Sequence, residues 1–323
     1  MYRYIVKRLL LAVPTLVGAA TLVFVLMRLI PGDVCVIRLG SGGAHVNQAA
    51  VDACRQSLGL NDSLFIQYLR FLADYATFNF GNSMWSGNPV VDEIAARLPV
   101  SLQIAVMATV IAIAIAIPLG TISALRENTM LDHVVRVVAI MGIATPSFWL
   151  GLMSIVLVLD LTYLATGKAW MPPIDYVSFW QDPVRNLSMV VLPALTVGYR
   201  YSAVTMRLTR SAMLEVLRED YIRTARAKGL MEQIIVNRHA LKNALLPVVT
   251  LIGIEFAFLI GGLVVTEQVF NINGIGRLLV LAVQNQDNVL TQALVMLVVV
   301  IFIVTNLVVD LLYAWLDPRI RFS

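Results

Sequence analysis

Apolar residues are concentrated in six long stretches of this chain, separated by polar segments. A helix needs roughly 20 mostly apolar residues to cross about 30 Å of hydrocarbon. Each stretch reaches that length, and each must be helical because lipid cannot hydrogen-bond an open backbone. The predicted spans are Leu9–Ile30, Leu102–Ala124, Val134–Leu159, Leu187–Met206, Ala244–Val265 and Val289–Leu312. The pattern predicts an all-α polytopic protein with one transmembrane domain over residues 1–323.

Composition supports lipid as the surroundings of most of the chain. Hydrophobic residues make up 59% of it and charged residues only 14%, whereas soluble proteins carry about 25% charged residues. The formal net charge is +4, and its basic residues form no stripe of the kind that binds nucleic acid. The composition therefore excludes an ordinary soluble domain and argues against a nucleic-acid partner.

Basic residues cluster on alternate connections and so predict the orientation in the membrane. They are concentrated at the N-terminus, in the second-to-third connection, in Arg207–Lys242 and in the tail. The positive-inside rule places these segments, and both termini, in the cytoplasm. The segments 31–99, 165–186 and 266–288 then lie outside. The first span is predicted to be an uncleaved signal anchor rather than a cleaved signal, because its apolar run is long.

The exterior segment 31–99 is predicted to form a small cap of short helices. N-capping residues near Asn47 and Asp62 predict two helices. A third is predicted to begin near Pro89 and to stop at Pro99, before the second span. The cap is expected to pack on the ends of the spans.

Both cysteines of the chain, Cys35 and Cys54, lie in this exterior segment. An oxidising outer compartment would join them in a disulfide, and two unpaired buried thiols are the alternative. With only His45 between them, they make a poor set of metal ligands.

The most informative polar stretch is the cytoplasmic segment 207–243. A helix is predicted to continue inward from the fourth span, followed by a short helix that Gly229 ends in a left-handed conformation. Tyr221, Ile222 and Ala225 share one helical face, which predicts a small apolar patch inside a cationic rim. Such a projecting elbow suits a socket on a cytoplasmic partner, although composition alone fits contact with anionic lipid as well. The predicted partner-contact residues are Asp220, Tyr221, Ile222, Arg223, Thr224, Ala225, Arg226, Ala227, Lys228 and Gly229.

Short motifs along nearly the whole chain resemble those of one transporter family. The run Asp220–Leu230 followed by His239–Pro247 is similar to the cytoplasmic coupling loop of permeases from dipeptide and oligopeptide ABC importers, the peptide/nickel/opine group. Further matching segments are Leu58–Leu60, Gln67–Tyr68, Asn79–Ser83, Arg97–Pro99, Thr145–Gly151, Thr266–Phe270, Gly274 with Gly276, and the tail Asp317–Arg321. Compared with the general importer pattern, the chain has Arg223-Thr-Ala225 and a longer gap to Pro247, which resembles the peptide-importer version.

This resemblance implies a type I ABC importer fold in a bacterial inner membrane. It further implies a second homologous permease subunit, two ATP-binding cassette subunits that carry ATP and Mg²⁺, and an exterior solute-binding protein. ATP binding on the ATPases would push on the elbows and switch the path between inward-facing and outward-facing states. The expected cargo is a dipeptide or oligopeptide, with glutathione, opines, sugars and chelated nickel left open.

The chain lacks the motifs of an enzyme. It has no Gly-x-x-x-x-Gly-Lys-Ser/Thr phosphate loop, no His-Glu-x-x-His helix and no Gly-x-Ser-x-Gly elbow. It is therefore predicted to bind no cofactor itself and to depend on a separate ATPase. A secondary transporter is the alternative, but the repeated pair of broken helices typical of that class is missing from the sequence.

Polar residues within the spans are candidates for the translocation path. Glu255, near the middle of the fifth span, costs on the order of 3 kcal/mol to place in lipid, so it is expected to line the path or to hydrogen-bond a neighbouring helix. Gln103 is a second candidate for the path, and Arg200 is expected to snorkel toward the cytoplasmic face. By resemblance, the turn-prone exterior segment is proposed to contact the binding protein. Its contact residues are Asn271, Asn273, Gly274 and Gly276.

Overall fold

The computed structural model describes residues 2–29, 35–36, 47–57 and 59–316. Predictions that concern His45, Leu58 and the tail Asp317–Arg321 lie outside these residues. In the described residues, helices are joined by turns and loops. The only strand-like pairing among these residues is one isolated bridge between Asn82 and Pro89.

Long helices alternate with short ones along the chain. The helices are α1 Tyr2–Leu29, α2 Gln48–Ser57, α3 Leu64–Ala76, α4 Val90–Leu125, α5 Met130–Ala144, α6 Ser147–Thr166, α7 Pro183–Leu217, α8 Asp220–Ala227, α9 Glu232–Gly262, α10 Val264–Val269, α11 Ile275–Gln284 and α12 Asn288–Leu316. Within α9, residues Ile235–Ala240 form a π-helical turn.

Six helices in the described part of the chain are long and apolar enough to cross a membrane. These segments are Arg8–Leu29, Val90–Leu125, Ser147–Thr166, Pro183–Leu217, Glu232–Gly262 and Asn288–Leu312. The second, fourth and sixth predicted spans each lie inside one helix. The fifth predicted span ends at Val265, whereas α9 ends three residues earlier, at Gly262. The fold class predicted from the apolar pattern is confirmed.

The predicted span Val134–Leu159 is wrong as a single helix, because the chain breaks at Thr145 and Pro146. Thr145 has extended backbone angles, φ −82° and ψ 128°, as the residue before a proline prefers. The third crossing is therefore α6, which starts at Ser147. The preceding α5 is a separate helix that starts at Met130.

The predicted stop at Pro99 is also wrong, because α4 continues through this proline from Val90 to Leu125. A proline inside a helix removes one backbone hydrogen bond and crowds the preceding turn. Packing offsets this cost here, since Ile94 before the proline and Val100 after it are both buried. The exterior cap and the second span thus share one helix.

Contacts between residues divide the chain into two compact units. Unit one comprises Met1–Pro99 and Gly274–Ile303, and unit two comprises Val100–Asn273 and Val304–Ser323. In unit one, α3 lies against α1, with the Phe24 ring 5.2 Å from the Tyr68 ring and 5.6 Å from the Phe71 ring.

A buried carboxylate organises the loop between α3 and α4 in unit one. Asp287 is 1% exposed and precedes α12. It accepts hydrogen bonds from the Ser83 hydroxyl at 2.6 Å, from the Trp85 backbone N–H at 3.2 Å and from the Leu290 backbone N–H at 3.0 Å. One side chain therefore caps α12 and holds the loop in place.

Helix α7 is the centre of unit two and packs against α5, α6 and α9. Small residues let helices approach closely in membranes. A Cβ on Gly198 would lie 2.8 Å from the Ala108 carbonyl oxygen of α4, and one on Gly120 would lie 2.8 Å from the Met206 carbonyl oxygen of α7. These two glycines therefore set the spacing of α4 and α7.

Replacing Gly198 by valine is expected to destabilise unit two by about 1–3 kcal/mol, because an added side chain overpacks this contact. The measurement is the thermal unfolding midpoint of the purified subunit in detergent. Gly18→Val is the matched control, since a Cβ on Gly18 of α1 meets nothing within 4 Å. Equal midpoints for the two variants would contradict the close packing of α4 and α7.

Candidate functional site

The connection between α7 and α9 folds as a projecting elbow, defined here as residues 218–234. Helix α7 runs to Leu217, and the short helix α8 follows after a two-residue turn. Gly229 has φ +76°, and its backbone N–H donates to the Arg226 carbonyl oxygen at 2.9 Å. A salt bridge of 2.6 Å between Arg226 and Glu232 joins the two arms of the elbow. The position of the turn at Gly229 is as the sequence predicts.

The apolar face of α8 packs inward on the chain itself. Ile222 is 0% and Ala225 8% exposed, and both belong to a core that Met213 of α7 and Ile235 of α9 share. This corrects the interpretation of Ile222 and Ala225 as part of an outward-facing patch. The amphipathic pattern was correct, but the covering surface is the end of the membrane helices rather than a partner.

The outward surface of the elbow carries a different apolar set. Tyr221 is 41%, Leu230 40% and Met231 68% exposed. The exposed basic residues around them are Arg223, Arg226 and Lys228. Sequence reasoning missed Leu230 and Met231, although two large apolar residues directly after a glycine in a polar segment are a usable signal. An exposed apolar centre with a basic rim is the arrangement of a protein contact surface.

A buried ion pair, called here the clamp, ties the start of α5 to α7. Asp132 is 0% exposed, and Arg210 donates to its two carboxylate oxygens from Nε and Nη2, both at 2.8 Å. The Ser123 hydroxyl donates to the same carboxylate at 2.5 Å and the Asn128 backbone N–H at 3.1 Å. The Arg210 guanidinium and these donors hold the pKa of Asp132 well below its usual range.

The two path candidates, Glu255 of α9 and Gln103 of α4, contact α7 at well-separated positions. Glu255 is half-buried and accepts a hydrogen bond of 2.8 Å from the Thr205 hydroxyl. Gln103 forms a reciprocal amide pair with buried Asn186, and the Tyr176 hydroxyl donates to it at 3.3 Å. Asn186 and Thr205 are 19 residues apart on α7, or about 28 Å along a helix axis. Glu255 and Gln103 therefore do not form one site.

The exterior turn exposes only part of its predicted contact set. Asn271 and Asn273 are exposed, and Asn271 has φ +52°. Gly274 and Gly276 are buried. Of the four residues, the two asparagines are thus solvent-exposed, while the two glycines are covered by the chain.

A disulfide joins Cys35 to Cys54, with their Cα atoms 5.8 Å apart. Cys35 is 0% exposed, and Cys54 lies within α2. The bond therefore links α2 to the segment that follows α1.

Comparison with known families covers almost the whole chain. Residues 116–322 match the family described as binding-protein-dependent transport system inner membrane component. Residues 1–105 match the N-terminal part of the corresponding membrane component. The chain belongs to this family of inner membrane transport components.

Named relatives match this chain over their full length. The "Glutathione transport system permease protein GsiC" of Escherichia coli strain K12 is 39% identical over 323 residues, which is 100% of both chains. The proteins of the same name from Shigella dysenteriae serotype 1 and Salmonella paratyphi A are also 39% identical over the full length of both chains.

Family membership defines the coarse role of the chain. It is the inner membrane permease subunit of an ABC importer, with a type I importer permease domain. Because such importers depend on a binding protein, its partners include an ATPase and a solute-binding protein. The permease itself is not an enzyme.

Proposed function

We propose that this permease subunit carries short peptides of the glutathione type into the cell, and that its ATPase partners drive it through the elbow. The substrate class rests on two supports. The full-length relatives are named as permeases of glutathione transport systems, and the motifs of the cytoplasmic segment resemble those of peptide importers. Dipeptides and glutathione share small size and charged ends.

The coupling role is supported by the way in which the elbow packs against the membrane helices. Ile222 and Ala225 fix α8 to a core that contains residues of α4, α7 and α9, including Ala124, Met213 and Ala244. A force applied to the exposed surface at Leu230 and Met231 is therefore transmitted to three membrane helices at once. A loosely attached loop could not transmit it.

The clamp supports the same role. Its ion pair joins α5 to α7 two helical turns before the elbow, because Arg210 lies eight residues ahead of Arg218. Thus α4, α5, α7 and α9 form one connected body around the base of α8. Nucleotide binding on the ATPases then shifts an equilibrium between two arrangements of this body.

The orientation follows from the basic residues. The elbow and the clamp face the cytoplasm, and the disulfide-linked segment with the exposed residues Asn271 and Asn273 faces the exterior. We assign these two asparagines to contact with the solute-binding protein. A second homologous permease completes the path, and ATP and Mg²⁺ bind to two ATPase subunits.

The substrate assignment is tested by isolating the binding protein of the same system and identifying its bound ligand by mass spectrometry. ATP hydrolysis by the reconstituted complex is then measured with the empty and the loaded binding protein. The expected ligand is glutathione or a dipeptide, and the loaded form is expected to stimulate hydrolysis. A sugar or metal-chelate ligand would overturn the peptide assignment while leaving the importer assignment in place.

A further inference from the structure

A cleft of about 580 Å³ opens on unit one, and we call it the exterior cleft. It lies between the exterior end of α1, helix α3, the loop that follows α3 and the start of α12. Sites that bind small molecules have volumes of roughly 300–1,000 Å³. The elbow and the clamp belong to unit two, so the exterior cleft is not part of the coupling site.

One face of α3 forms a wall of the exterior cleft. Gln67, Phe71 and Asp74 line the cleft and follow one another at intervals of four and three residues, so they share one side of the helix. The side chain between the two polar ones is aromatic, and its ring packs on Phe24 of α1. The wall therefore combines an apolar centre with polar groups on either side, which is the usual lining of a ligand site.

Two groups of opposite charge line the cleft without an ion-pair partner in the described part of the chain. Arg28 donates to Gln67 Oε1 at 2.6 Å, and Gln67 in turn donates to the Asp62 carbonyl oxygen at 2.8 Å. The guanidinium is thus held in place by a neutral group. Asp74 is half-buried and has neither an ion pair nor a hydrogen bond to its carboxylate. Arg70, by contrast, is paired with Asp62 at 2.9 Å.

Four side-chain amides from the loop after α3 and from the start of α12 also line the cleft. They are Asn79, Asn82, Asn288 and Gln292. Their amide groups form no hydrogen bonds to the residues that the structure describes. An amide side chain both donates and accepts, as a peptide bond does, whereas the phosphate of a lipid headgroup only accepts. Unpaired charges of both signs match the two free ends of a short peptide, which a segment within a protein lacks.

We propose that the exterior cleft binds a short zwitterionic peptide before the peptide enters the membrane path. Arg28, held by Gln67, binds the peptide carboxylate, and Asp74 binds its ammonium group. The amides of Asn82 and Gln292 hydrogen-bond to the peptide backbone. This site deepens the proposed function and rests on it, because it gives the permease its own place for a cargo peptide that has left the binding protein.

The test measures the binding of labelled glutathione to the complete complex of permease and ATPase subunits, without the binding protein, by equilibrium dialysis. The dissociation constant is expected to rise about tenfold or more in Arg28→Gln and in Asp74→Asn, because each variant loses a charge-assisted hydrogen bond to the peptide. Asp92→Asn is the matched control, since Asp92 is an exposed carboxylate of unit one that does not line the cleft. Its dissociation constant is expected to equal that of the wild type.

A second comparison separates recognition of the peptide from a structural role of the carboxylate. The same complex is given a dipeptide with a free N-terminus and the same dipeptide with an acetylated N-terminus. The wild type is expected to bind the free form more tightly, Asp74→Asn to lose that preference, and Asp74→Glu to recover part of it. Equal binding of the two forms by the wild type, or an unchanged preference in Asp74→Asn, would overturn the peptide site.

Two further measurements test other occupants of the cleft. Mass spectrometry identifies the phospholipids that the purified complex retains, and co-purification measures docking of the empty binding protein. Neither is expected to change in Arg28→Gln. A phospholipid or a docked binding protein that this variant loses would overturn the peptide site.

The peptide site and the proposed function fail in different ways. Normal peptide uptake from the loaded binding protein, with no peptide bound by the complex alone, would overturn only the peptide site. A wild-type complex that imports no peptide, together with a binding protein that carries another class of solute, would overturn the proposed function.

Discussion

Gly229→Val is expected to leave the subunit inserted in the membrane but to reduce its association with the ATPases about tenfold or more. Gly229 has φ +76°, and a β-branched residue in that region costs at least about 1–2 kcal/mol. The chain avoids this strain by opening the turn, which displaces Leu230 and Met231 from the tip of the elbow. The measurement is the amount of ATPase that co-purifies with the tagged permease, followed by ATP-dependent uptake.

Gly167→Val is the matched control for this variant. Gly167 ends α6 with φ +72°, and a Cβ there, as at Gly229, meets nothing within 4 Å. The two substitutions thus introduce the same strain in open surroundings, one at the elbow and one in an exterior loop. Normal assembly is expected for Gly167→Val. If both variants assemble and transport normally, the elbow does not couple the subunit to the ATPases.

Asp132→Asn is expected to destabilise the subunit by about 3 kcal/mol, because it leaves the largely buried charge of Arg210 without its partner. Uptake is expected to fall as well, since the clamp connects α5 to α7 beside the elbow. The measurement is the unfolding midpoint of the purified permease, together with the amount of solute imported per ATP hydrolysed.

Glu127→Gln provides the control for the clamp. Glu127 forms an ion pair of 3.4 Å with Arg218, and both side chains are solvent-exposed to a substantial degree. Such surface pairs contribute about 0–1 kcal/mol. The expected result is a midpoint close to that of the wild type. A larger fall in the unfolding midpoint for Glu127→Gln than for Asp132→Asn would contradict the stabilising role of the clamp.

The lowered pKa of Asp132 also predicts a dependence of stability on pH. A carboxyl group whose pKa is lowered by folding stabilises the folded state above its unfolded pKa, which is about 3.9 for aspartate. That contribution is lost as the pH falls below about 4 toward the lowered value. The difference in midpoint between wild type and Asp132→Asn is therefore expected to be largest near neutral pH and to shrink in acid. A difference in unfolding midpoint that stays constant down to pH 3 would contradict the lowered pKa of Asp132.

The sequence predicts membrane helices well where the apolar run is the only strong signal. It is less reliable at prolines, because local preference and packing compete there. Pro146 interrupts the helical run between α5 and α6, whereas Pro99 lies inside α4 between the buried residues Ile94 and Val100. A pattern of single residues does not show which prolines are surrounded by enough packing to offset their cost.

At the candidate site, the sequence predicts the elbow and its turn but not which surface covers its apolar face. Ile222 and Ala225 have the spacing of a buried face, and spacing does not distinguish a cover formed by the same chain from one formed by a partner. The clamp could not be predicted because Asp132 and Arg210 are 78 residues apart. The amide pair of Gln103 with Asn186 is of the same kind, with a separation of 83 residues.

If cytoplasmic ATPase subunits drive this permease, solute uptake by the purified assembly in proteoliposomes depends on them. Uptake is measured with ATP, without ATP, without the ATPase subunits and with a proton uncoupler. Uptake is expected to require both ATP and the ATPases and to be unchanged by the uncoupler. Uptake that persists without the ATPases and collapses with the uncoupler would contradict it and would favour a secondary transporter.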